Sequence, residues 1–540
     1  MLRLFSVLLF CVMSFYTSIA SSDGVDGLQL PPLVKQLPNT KLNQLAPLID
    51  QIASTKAPQV RSILQQLKVG ELYYIKSNQQ VVHAQKNQQK DYQLTDILTG
   101  ELLPTVKKST ITKIKTNNQL RGQIRDILAY LDLTHSDKNI RLTALKQLLD
   151  KPNKNGITAV TLLIKQEPDP KNRELMTVIL LVNQLETGSS EEKVAATIQL
   201  SERLEPSVKN AIVKQLNKLK EQPGDAVLKD SLTQALKKIE QQGGFYETFE
   251  YLFFGLSLGS VLLLAAIGLS ITFGVMGVIN MAHGEMMMLG AYTTYVIQQA
   301  FPELIEYSLL MSIPAAFLVS GLVGILIERG VIRFLKGRPL ETLLATFGIS
   351  LILQQLVRSI FSPLNRPVAA PQWMSGSLEI NPIFALTYNR LYIILFSLMV
   401  FFSLLMILKK SSLGLHVRAV SQNRDMARAL SIKSSWVDAI TFGLGSGIAG
   451  IAGVALSQLT NVGPNLGQAY IIDTFLVVVF GGVGNLWGTL VAAMTLGSFN
   501  KFLEPSMGSV LSNIIVLVSI VLFIQKRPKG LFPQKGRAAE

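Results

Sequence analysis

Ser270 to Gly290 reads Ser-Ile-Thr-Phe-Gly-Val-Met-Gly-Val-Ile-Asn-Met-Ala-His-Gly-Glu-Met-Met-Met-Leu-Gly and lies between two apolar stretches. The position of this segment places Asn280, His283 and Glu285 at membrane depth, beside several glycines. A polar group there costs roughly 2.5–3.5 kcal/mol on insertion scales unless it faces protein or a water-filled path. A cluster of this kind is typical of membrane proteins that move a solute, and the segment therefore favours a transport function.

The 540 residues divide into a polar part and an apolar part. Up to about Gln242 the chain is rich in Lys, Gln and Asp, whereas long apolar runs dominate from Phe245 onward. The shift predicts a water-soluble extension at 21–243 and a membrane domain at 244–535, with a hinge at 241–244. The net charge of +15 does not indicate nucleic-acid binding, because no aromatic-interleaved basic face accompanies it.

The first twenty residues have the pattern of a cleaved signal peptide. Arg3 precedes an apolar run, and small residues close the segment at Ser18-Ile19-Ala20. An uncleaved anchor is the alternative. The only cysteine, Cys11, lies inside this segment, so we expect the mature chain to form no internal disulfide and no thiolate metal site. We also expect no cofactor, and we expect residues 21–243 to be periplasmic.

The exported extension reads as mostly helical. Leu72 to Ala84 holds two β-rich patches around a turn-prone Ser77-Asn78, which predicts a small β hairpin. Beyond about Thr110 the apolar spacing becomes helical, and Ser189-Ser-Glu-Glu192 has the pattern of a capping box at a helix start. Short helices in succession favour a HEAT-like array, although no fixed repeat length is apparent.

The membrane domain contains apolar runs of the length that crosses a bilayer. A spanning helix needs roughly 20 apolar residues, and the sequence predicts about nine spans, some of them broken. They lie near 252–274, 284–300, 307–332, 343–362, 390–408, 437–460, 470–484, 488–502 and 508–525. The predicted fold class is therefore an all-α polytopic membrane protein with an exported, mostly helical extension.

Basic residues in the loops predict the orientation of these spans. They cluster after the third span, after the fifth span and in the carboxyl-terminal tail. The positive-inside rule assigns all three clusters to the cytoplasm, and an exported amino-terminal half followed by an odd number of spans gives the same result. We expect a multi-pass protein of the bacterial inner membrane with a cytoplasmic carboxyl terminus.

Two glycine-interrupted segments, 274–290 and 481–488, each follow a descending span and precede an ascending one. Such paired interruptions indicate a substrate path lined by broken helices, whereas close packing through small residues is the alternative. Side-chain amides provide donors and acceptors without charge, which suits a small polar solute. The candidate path or gate residues are Asn280, His283, Glu285, Gln354, Gln458, Asn461 and Asn485.

The loop at 414–432 is amphipathic and predicts a helix along the inner membrane surface. Val417, Val420, Met426, Ala427 and Leu430 can share its apolar face, with the arginines more exposed. Such a helix could fit a groove on a partner protein or bind lipid headgroups. No Gly-x-x-x-x-Gly-Lys-Ser/Thr phosphate-binding motif occurs in the chain, so we expect no enzyme activity here and an ATPase on separate subunits.

Several of these motifs resemble one family of transporters. Gly255-Leu-Ser-Leu-Gly-Ser, Gly277-Val-Ile-Asn-Met-Ala-His-Gly-Glu285 and Phe480-Gly-Gly-Val-Gly-Asn485 are similar to permease subunits of the branched-chain amino-acid/urea class of ABC importers. The resemblance covers about 250 to 534. Three further stretches resemble the first permease subunit of urea importers: Arg338 to Thr346, Gly443 to Gln458 with Asn461-Val-Gly-Pro464, and Phe523 to Leu531. Some members of that group also carry an exported extension.

The resemblance implies a permease path for urea, with branched-chain amino acids or other small amides as the alternative. It implies as partners a second homologous permease, two cytoplasmic ATPases and a periplasmic solute-binding protein, all at the lipid bilayer. Residues 414–432 match the family's ATPase-coupling loop, with Ser431 where relatives usually have glycine. The candidate coupling residues are Gly414, Arg418, Asn423, Arg424, Met426, Ala427, Arg428 and Leu430.

Two other classes of function stay open on the sequence alone. A proton-coupled carrier or passive channel could use His283 and Glu285 without ATPase partners. A membrane-anchored scaffold could have the exported half as its working part, although an anchor alone would not need polar, broken spans.

Overall fold

The computed structural model describes residues 29–55, 57–86, 91–221 and 225–533. The predicted signal peptide and the basic residues of the extreme carboxyl terminus lie outside these ranges. The chain folds as two compact units. The first comprises residues up to Arg203 together with Ser207–Leu236, and the second comprises Leu204–Pro206 and the chain from Lys237 onward.

The first unit begins with helices that pack against an antiparallel sheet. The helices are α1 (Leu30–Gln36), α2 (Leu45–Ser54) and α3 (Gln59–Val69). The strands are β1 (Leu72–Ile75), β2 (Val81–Lys86), β3 (Tyr92–Asp96), β4 (Leu102–Val106) and β5 (Ile111–Lys113), in the spatial order β4-β3-β2-β1-β5. The predicted hairpin is present as β1 and β2, with Leu72 opposite His83. The prediction missed β3, β4 and β5; of these, the edge strand β4 is largely exposed and has no alternating apolar pattern.

A succession of helices follows the sheet. They are α4 (Asn118–Leu133), α5 (Lys138–Asp150), α6 (Lys154–Leu163), α7 (Pro170–Thr187), α8 (Ser190–Leu200) and α9 (Pro206–Glu221). Their cores contain apolar residues of the predicted stripe, among them Leu145, Leu148 and Ile212. The capping box at α8 is confirmed, since Ser189 and Glu192 each bond to the other's backbone N–H. The HEAT-like arrangement stays a prediction.

The second unit is helical apart from one short hairpin, β6 (Ser377–Asn381) and β7 (Phe384–Thr387). Its helices are α10 (Ala226–Met276, shared with the first unit), α11 (His283–Ala300), α12 (Ile305–Gly330), α13 (Pro339–Phe361), α14 (Tyr388–Lys410), α15 (Ser412–Gln422), α16 (Arg424–Ala429), α17 (Ser434–Ser457), α18 (Leu466–Gly481), α19 (Leu486–Met507) and α20 (Ser509–Lys526). The hinge predicted at 241–244 is wrong in its local structure, because α10 continues through both glycines.

Six helices of the described chain are long and apolar enough to cross a membrane: α10, α12, α13, α14, α17 and α20. Of the other three predicted spans, α18 is apolar but shorter, and α11 and α19 do not reach that standard of length and hydropathy. Helices nevertheless form at these three positions, with bounds within about five residues of the predicted ones. Helix α17 lies at the centre of the unit. In its most apolar stretch 83% is buried, whereas the corresponding value for α20 is 17%.

Glycines allow the central helices to touch through their backbones. A Cβ added at Gly290 of α11 would lie 2.6 Å from the Cα and carbonyl carbon of Gly450 in α17. A Cβ added at Gly450 would lie 2.6 Å from the carbonyl oxygen of Ala316 in α12. Close packing through small residues, the alternative reading of the glycine-rich segments, is therefore confirmed for this part of the structure.

Candidate translocation and coupling site

The first predicted break separates α10 from α11 and is present at 277–282. Gly277 turns the chain with φ of +68°, a conformation that suits glycine. The side-chain oxygen of Asn280 then accepts a hydrogen bond from the backbone N–H of Ala282 at 3.0 Å. Thr346 of α13 accepts another from the N–H of Met281 at 3.1 Å. Both bonds satisfy backbone donors that the interruption of the helix leaves free.

His283, at the start of α11, is completely buried. Its Nε2 lies 2.9 Å from the carbonyl oxygen of Ala265 in α10, a contact that fixes the ring against the preceding helix. The ring's Nδ1 and the side-chain nitrogen of the buried Asn280 have no hydrogen-bond partner among the described residues. His283 is thus held as a link between two helices, and the side-chain NH2 group of Asn280 retains its two donors unused.

Glu285 and Gln354 come together between α11 and α13. The Oε1 atom of Glu285 accepts hydrogen bonds from Gln354 Nε2 at 2.8 Å and from Ser350 Oγ at 2.9 Å. All three side chains are buried, and Glu285 Oε2 has no partner in the described structure. Two of the predicted path residues therefore form one polar network with an unused acceptor, and Ser350 is a member that the sequence analysis missed.

The remaining path candidates lie apart from this network. Gln458 lines an apolar cavity of about 260 Å³ between α12, α14 and α17, and its Oε1 is buried without a partner in the described chain. Asn461 is exposed in the following loop. Asn485 is an N-cap, because its side chain accepts a hydrogen bond from the N–H of Gly488 at 3.2 Å. These observations give Asn485 a structural role.

The second predicted break is also present, at 482–485 between α18 and α19. It meets the first break region, because a Cβ on Gly274 would lie 2.7 Å from the Cα of Gly484. The chain after α20 returns to this point, where the N–H of Leu531 donates to Phe480 at 2.9 Å. Asn485 Nδ2 also donates to the carbonyl oxygen of Phe532, at 3.2 Å. The carboxyl-terminal segment thus completes the second break.

The predicted coupling loop is two helices, α15 and α16, and the expectation of one continuous helix is wrong. Asn423 ends the first helix and caps the second, since its side chain accepts a hydrogen bond from the N–H of Met426 at 3.0 Å. At the start of α15, Gly414 packs directly against the backbone of Leu408 in α14. Arg418 donates to the carbonyl oxygen of the same Leu408. The segment is therefore anchored on the end of α14.

The break after Asn423 changes which side chains face outward. Val417, Val420 and Ala427 are buried, as the sequence predicts, but Met426 and Leu430 are 64% and 75% exposed. The predicted common apolar face is thus wrong for these last two residues, because the second helix has a different axis and phase from the first. Met426 and Leu430 form an exposed apolar pair.

Arg424 faces inward, contrary to the expectation that the arginines of this loop are exposed. Its Nη1 lies 2.6 Å from Oδ2 of Asp438, a buried carboxylate in the first turns of α17. Lys336, from the segment between α12 and α13, forms an ion pair with the same oxygen. The sequence analysis missed both partners, although a single acidic residue in the apolar run of α17 was a usable signal.

Arg428 behaves as the sequence analysis expects. Its side chain is exposed, with Nη1 3.6 Å from the carboxylate of Asp425 and Nε donating to Ser434 at 3.0 Å. Within the described ranges, no group of three or more His, Cys, Asp or Glu side chains has the arrangement of a metal site.

Comparison with known proteins identifies the second unit. A family model described as the permease component of branched-chain amino acid transport systems matches residues 251–524. The chain belongs to this family. It is accordingly a membrane transport subunit and not an enzyme.

The permease is similar to several characterised proteins. It is 28% identical over 297 residues to the high-affinity branched-chain amino acid permease protein BraD of Pseudomonas aeruginosa, an alignment that covers 53% of this chain and 96% of BraD. It is 28% identical over 305 residues to LivH of Escherichia coli K12, with the same shares covered. The ribose import permease RbsC of that bacterium is 26% identical over 303 residues, covering 51% and 84%. No solved structure matches this permease.

Proposed function

We propose that this chain is one permease subunit of an ATP-driven importer in the bacterial inner membrane. It would pair with a second permease, receive solute from a periplasmic binding protein and be driven by two cytoplasmic ATPases. The family match across 251–524 carries this proposal. Basic loop clusters support a cytoplasmic position for α15 and α16, and the predicted extension at 21–243 would then be periplasmic.

The structure of the coupling segment supports ATPase docking at α15 and α16. Gly414 and Arg418 attach the segment to α14, and buried Val417, Val420 and Ala427 hold its inner side. The outer side presents Met426 and Leu430, two flexible apolar side chains of the kind that fill a groove on a partner. A movement of the ATPases would act on this exposed pair.

The translocation path is proposed to pass beside the broken helices. Glu285, Gln354 and Ser350 are buried between α11 and α13, and Glu285 and Asn280 each retain an unused polar atom. Groups of this kind persist where a solute or water can reach them in at least one conformation. Alternating access between two conformations of the permease pair would open this region to each side in turn.

Two solutes are supported by different observations. A branched-chain amino acid is supported by the similarity to BraD and LivH, whose names state that substrate. Urea is supported by the likeness of 338–346, 443–458 and 523–531 to urea permeases. It is also supported by the extension before residue 250, which has no counterpart in relatives that are aligned over 96% of their length but 53% of this chain. The relatives favour the amino acid, and we take it as the first candidate.

The test is solute uptake and ATP hydrolysis by the reconstituted complex, with its binding protein offered leucine or urea. We expect one of the two to stimulate both activities. Met426→Glu should abolish this stimulation because it places a charge in the docking pair. Leu162→Glu is the matched control, because Leu162 is a similarly exposed apolar residue on α6, outside the coupling segment. Uptake by this chain without ATPases, or uptake unchanged by Met426→Glu, would contradict the proposal.

A further inference from the structure

Asp438 is a buried carboxylate shared by two cations from distant parts of the chain. It is completely buried within α17, yet its Oδ2 atom contacts both Lys336 and Arg424. A buried carboxylate without a cation beside it would destabilise the fold, because nothing would offset the free energy lost when its charge leaves water. The site therefore holds the segment before α13 and the start of α16 on one point of the central helix.

Arg424 reaches a third element as well. While Nη1 bonds to Asp438, Nη2 lies 3.5 Å from the carbonyl oxygen of Val275, in the last turn of α10. That turn ends at Met276, and the break that carries Asn280 follows directly. Carbonyl groups in the last turn of a helix lack intrahelical partners and are favourable contacts for a cation. One guanidinium thus joins the coupling segment, the central helix and the edge of the break.

The fork of the guanidinium explains why an arginine suits this position. Its N–H groups point in different directions within one plane, so it can donate to a carboxylate and a carbonyl at the same time. A lysine could neutralise Asp438, as Lys336 already does, but a single ammonium has no second arm fixed in the plane. Arg428 lies four residues later in the same helix. Within the described structure its side chain has Asp425 and Ser434 as polar partners and makes no comparable link.

We propose that Arg424 is a positioning residue that transmits movement of α15 and α16 to the break between α10 and α11. When the segment moves, the guanidinium displaces the Val275 carbonyl group, with Asp438 as its fixed point. The region of Asn280 and Glu285 then changes its exposure together with the coupling segment. This inference rests on the proposed function and adds to it the route by which ATP hydrolysis opens the path.

The decisive quantity is the amount of solute transported per ATP hydrolysed by the complete reconstituted complex. We expect Arg424→Gln to lower this ratio about tenfold while hydrolysis continues, because the ATPases still dock on Met426 and Leu430. Arg424→Lys should also lower the ratio, since it keeps the charge but loses the second arm. Arg338→Gln is the matched control, because Arg338 is an exposed arginine outside the coupling segment that pairs with its near neighbour Glu341; it should leave the ratio unchanged.

A double variant separates transmission from simple charge compensation. Arg424→Gln with Asp438→Asn removes the buried carboxylate that would otherwise have lost one of its two cations, and the partly exposed Lys336 can turn to solvent. We expect this variant to assemble and still show the low ratio. A normal ratio in either Arg424→Gln or the double variant would overturn the inference, as would equal losses of hydrolysis and transport. Absence of ATP-dependent transport in the unaltered complex would instead overturn the proposed function.

Discussion

The contact between α11 and α17 provides a sharp test of how this membrane domain is held together. In Gly290→Ala the new Cβ would lie 2.6 Å from the Cα and carbonyl carbon of Gly450, and the carbonyl oxygen is closer still. Ordinary contact begins near 3.4 Å. The neighbouring atoms are backbone and cannot turn aside, so the two helices must separate by about 0.8 Å or more.

Separating α11 from α17 should lower the free energy of unfolding, because the backbone of α17 also packs against α12. A Cβ added at Gly450 would lie 2.6 Å from the carbonyl oxygen of Ala316 in α12. A Cβ added at Gly453 would lie 2.8 Å from the carbonyl carbon of Met287 and 2.9 Å from the nitrogen of Ala291, both in α11. Overpacking in a dense core costs about 1–3 kcal/mol, and an obstruction by backbone belongs at the upper end. At about 2 °C per kcal/mol for a large domain, we expect an apparent Tm about 6 °C below that of a Gly→Ala variant without such an obstruction.

The assay is thermal unfolding of the purified full chain in detergent, followed by tryptophan fluorescence. Gly348→Ala is the matched control, because Gly348 also lies inside a helix but nothing stands within 4 Å of its Cβ position. The control should stabilise the chain by about 0.5–1 kcal/mol, the usual difference between alanine and glycine in a helix. If Gly290→Ala melts at or above the control, the helices are not in backbone contact and the reasoning fails.

Three further predictions concern single side chains. Ser431 has φ of +64°, so Ser431→Gly should stabilise α16 by about 1 kcal/mol, measured as slower hydrogen exchange there in the full chain; faster exchange would contradict this. Burial alone would raise the pKa of Glu167, but hydrogen bonds, foremost from Arg141, outweigh it and hold that pKa below its ordinary 4.5. The stabilisation from the ionised Glu167 is therefore complete above pH 4.5 and is lost as pH falls through the lowered pKa. Hydrogen exchange in α5, which carries Arg141, should accelerate over that pH range. Glu167→Gln should remove this pH dependence. Asn485→Ala should cost about 1 kcal/mol through the lost N-cap and should free the segment around Phe532 to proteolysis; unchanged protection of that segment would refute the contact.

The helices of the membrane domain could be predicted from the sequence because their signal is local. The apolar run at 390–408 corresponds to α14 at Tyr388–Lys410, and the glycine clusters correctly marked both breaks. The pairing of Glu285 with Gln354 could not be read in the same way, since it depends on where α13 packs beside α11. Periodicity identifies the buried face of a helix but not its neighbour.

The coupling segment shows a second kind of limit. A helical projection across 414–432 assumes one axis, and the N-cap at Asn423 interrupts that axis. Some assignments after the interruption therefore fail: Arg424 was expected outside and Met426 inside, whereas Ala427 and Arg428 keep their predicted burial and exposure. The partners of Arg424 lie 14 and 149 residues away in the chain, so a local pattern could mark Asp438 as unusual but could not pair it with Arg424.

The glycine contacts among α11, α12 and α17 also bear on mechanics. Side chains can change rotamers and absorb small displacements, but two backbones in direct contact slide or bend very little. These three helices should consequently move as one rigid body, and any conformational change must occur at the edges of that body. One of those edges is the non-helical stretch at 277–282, so the stiffest part of the permease adjoins its best candidate for a hinge.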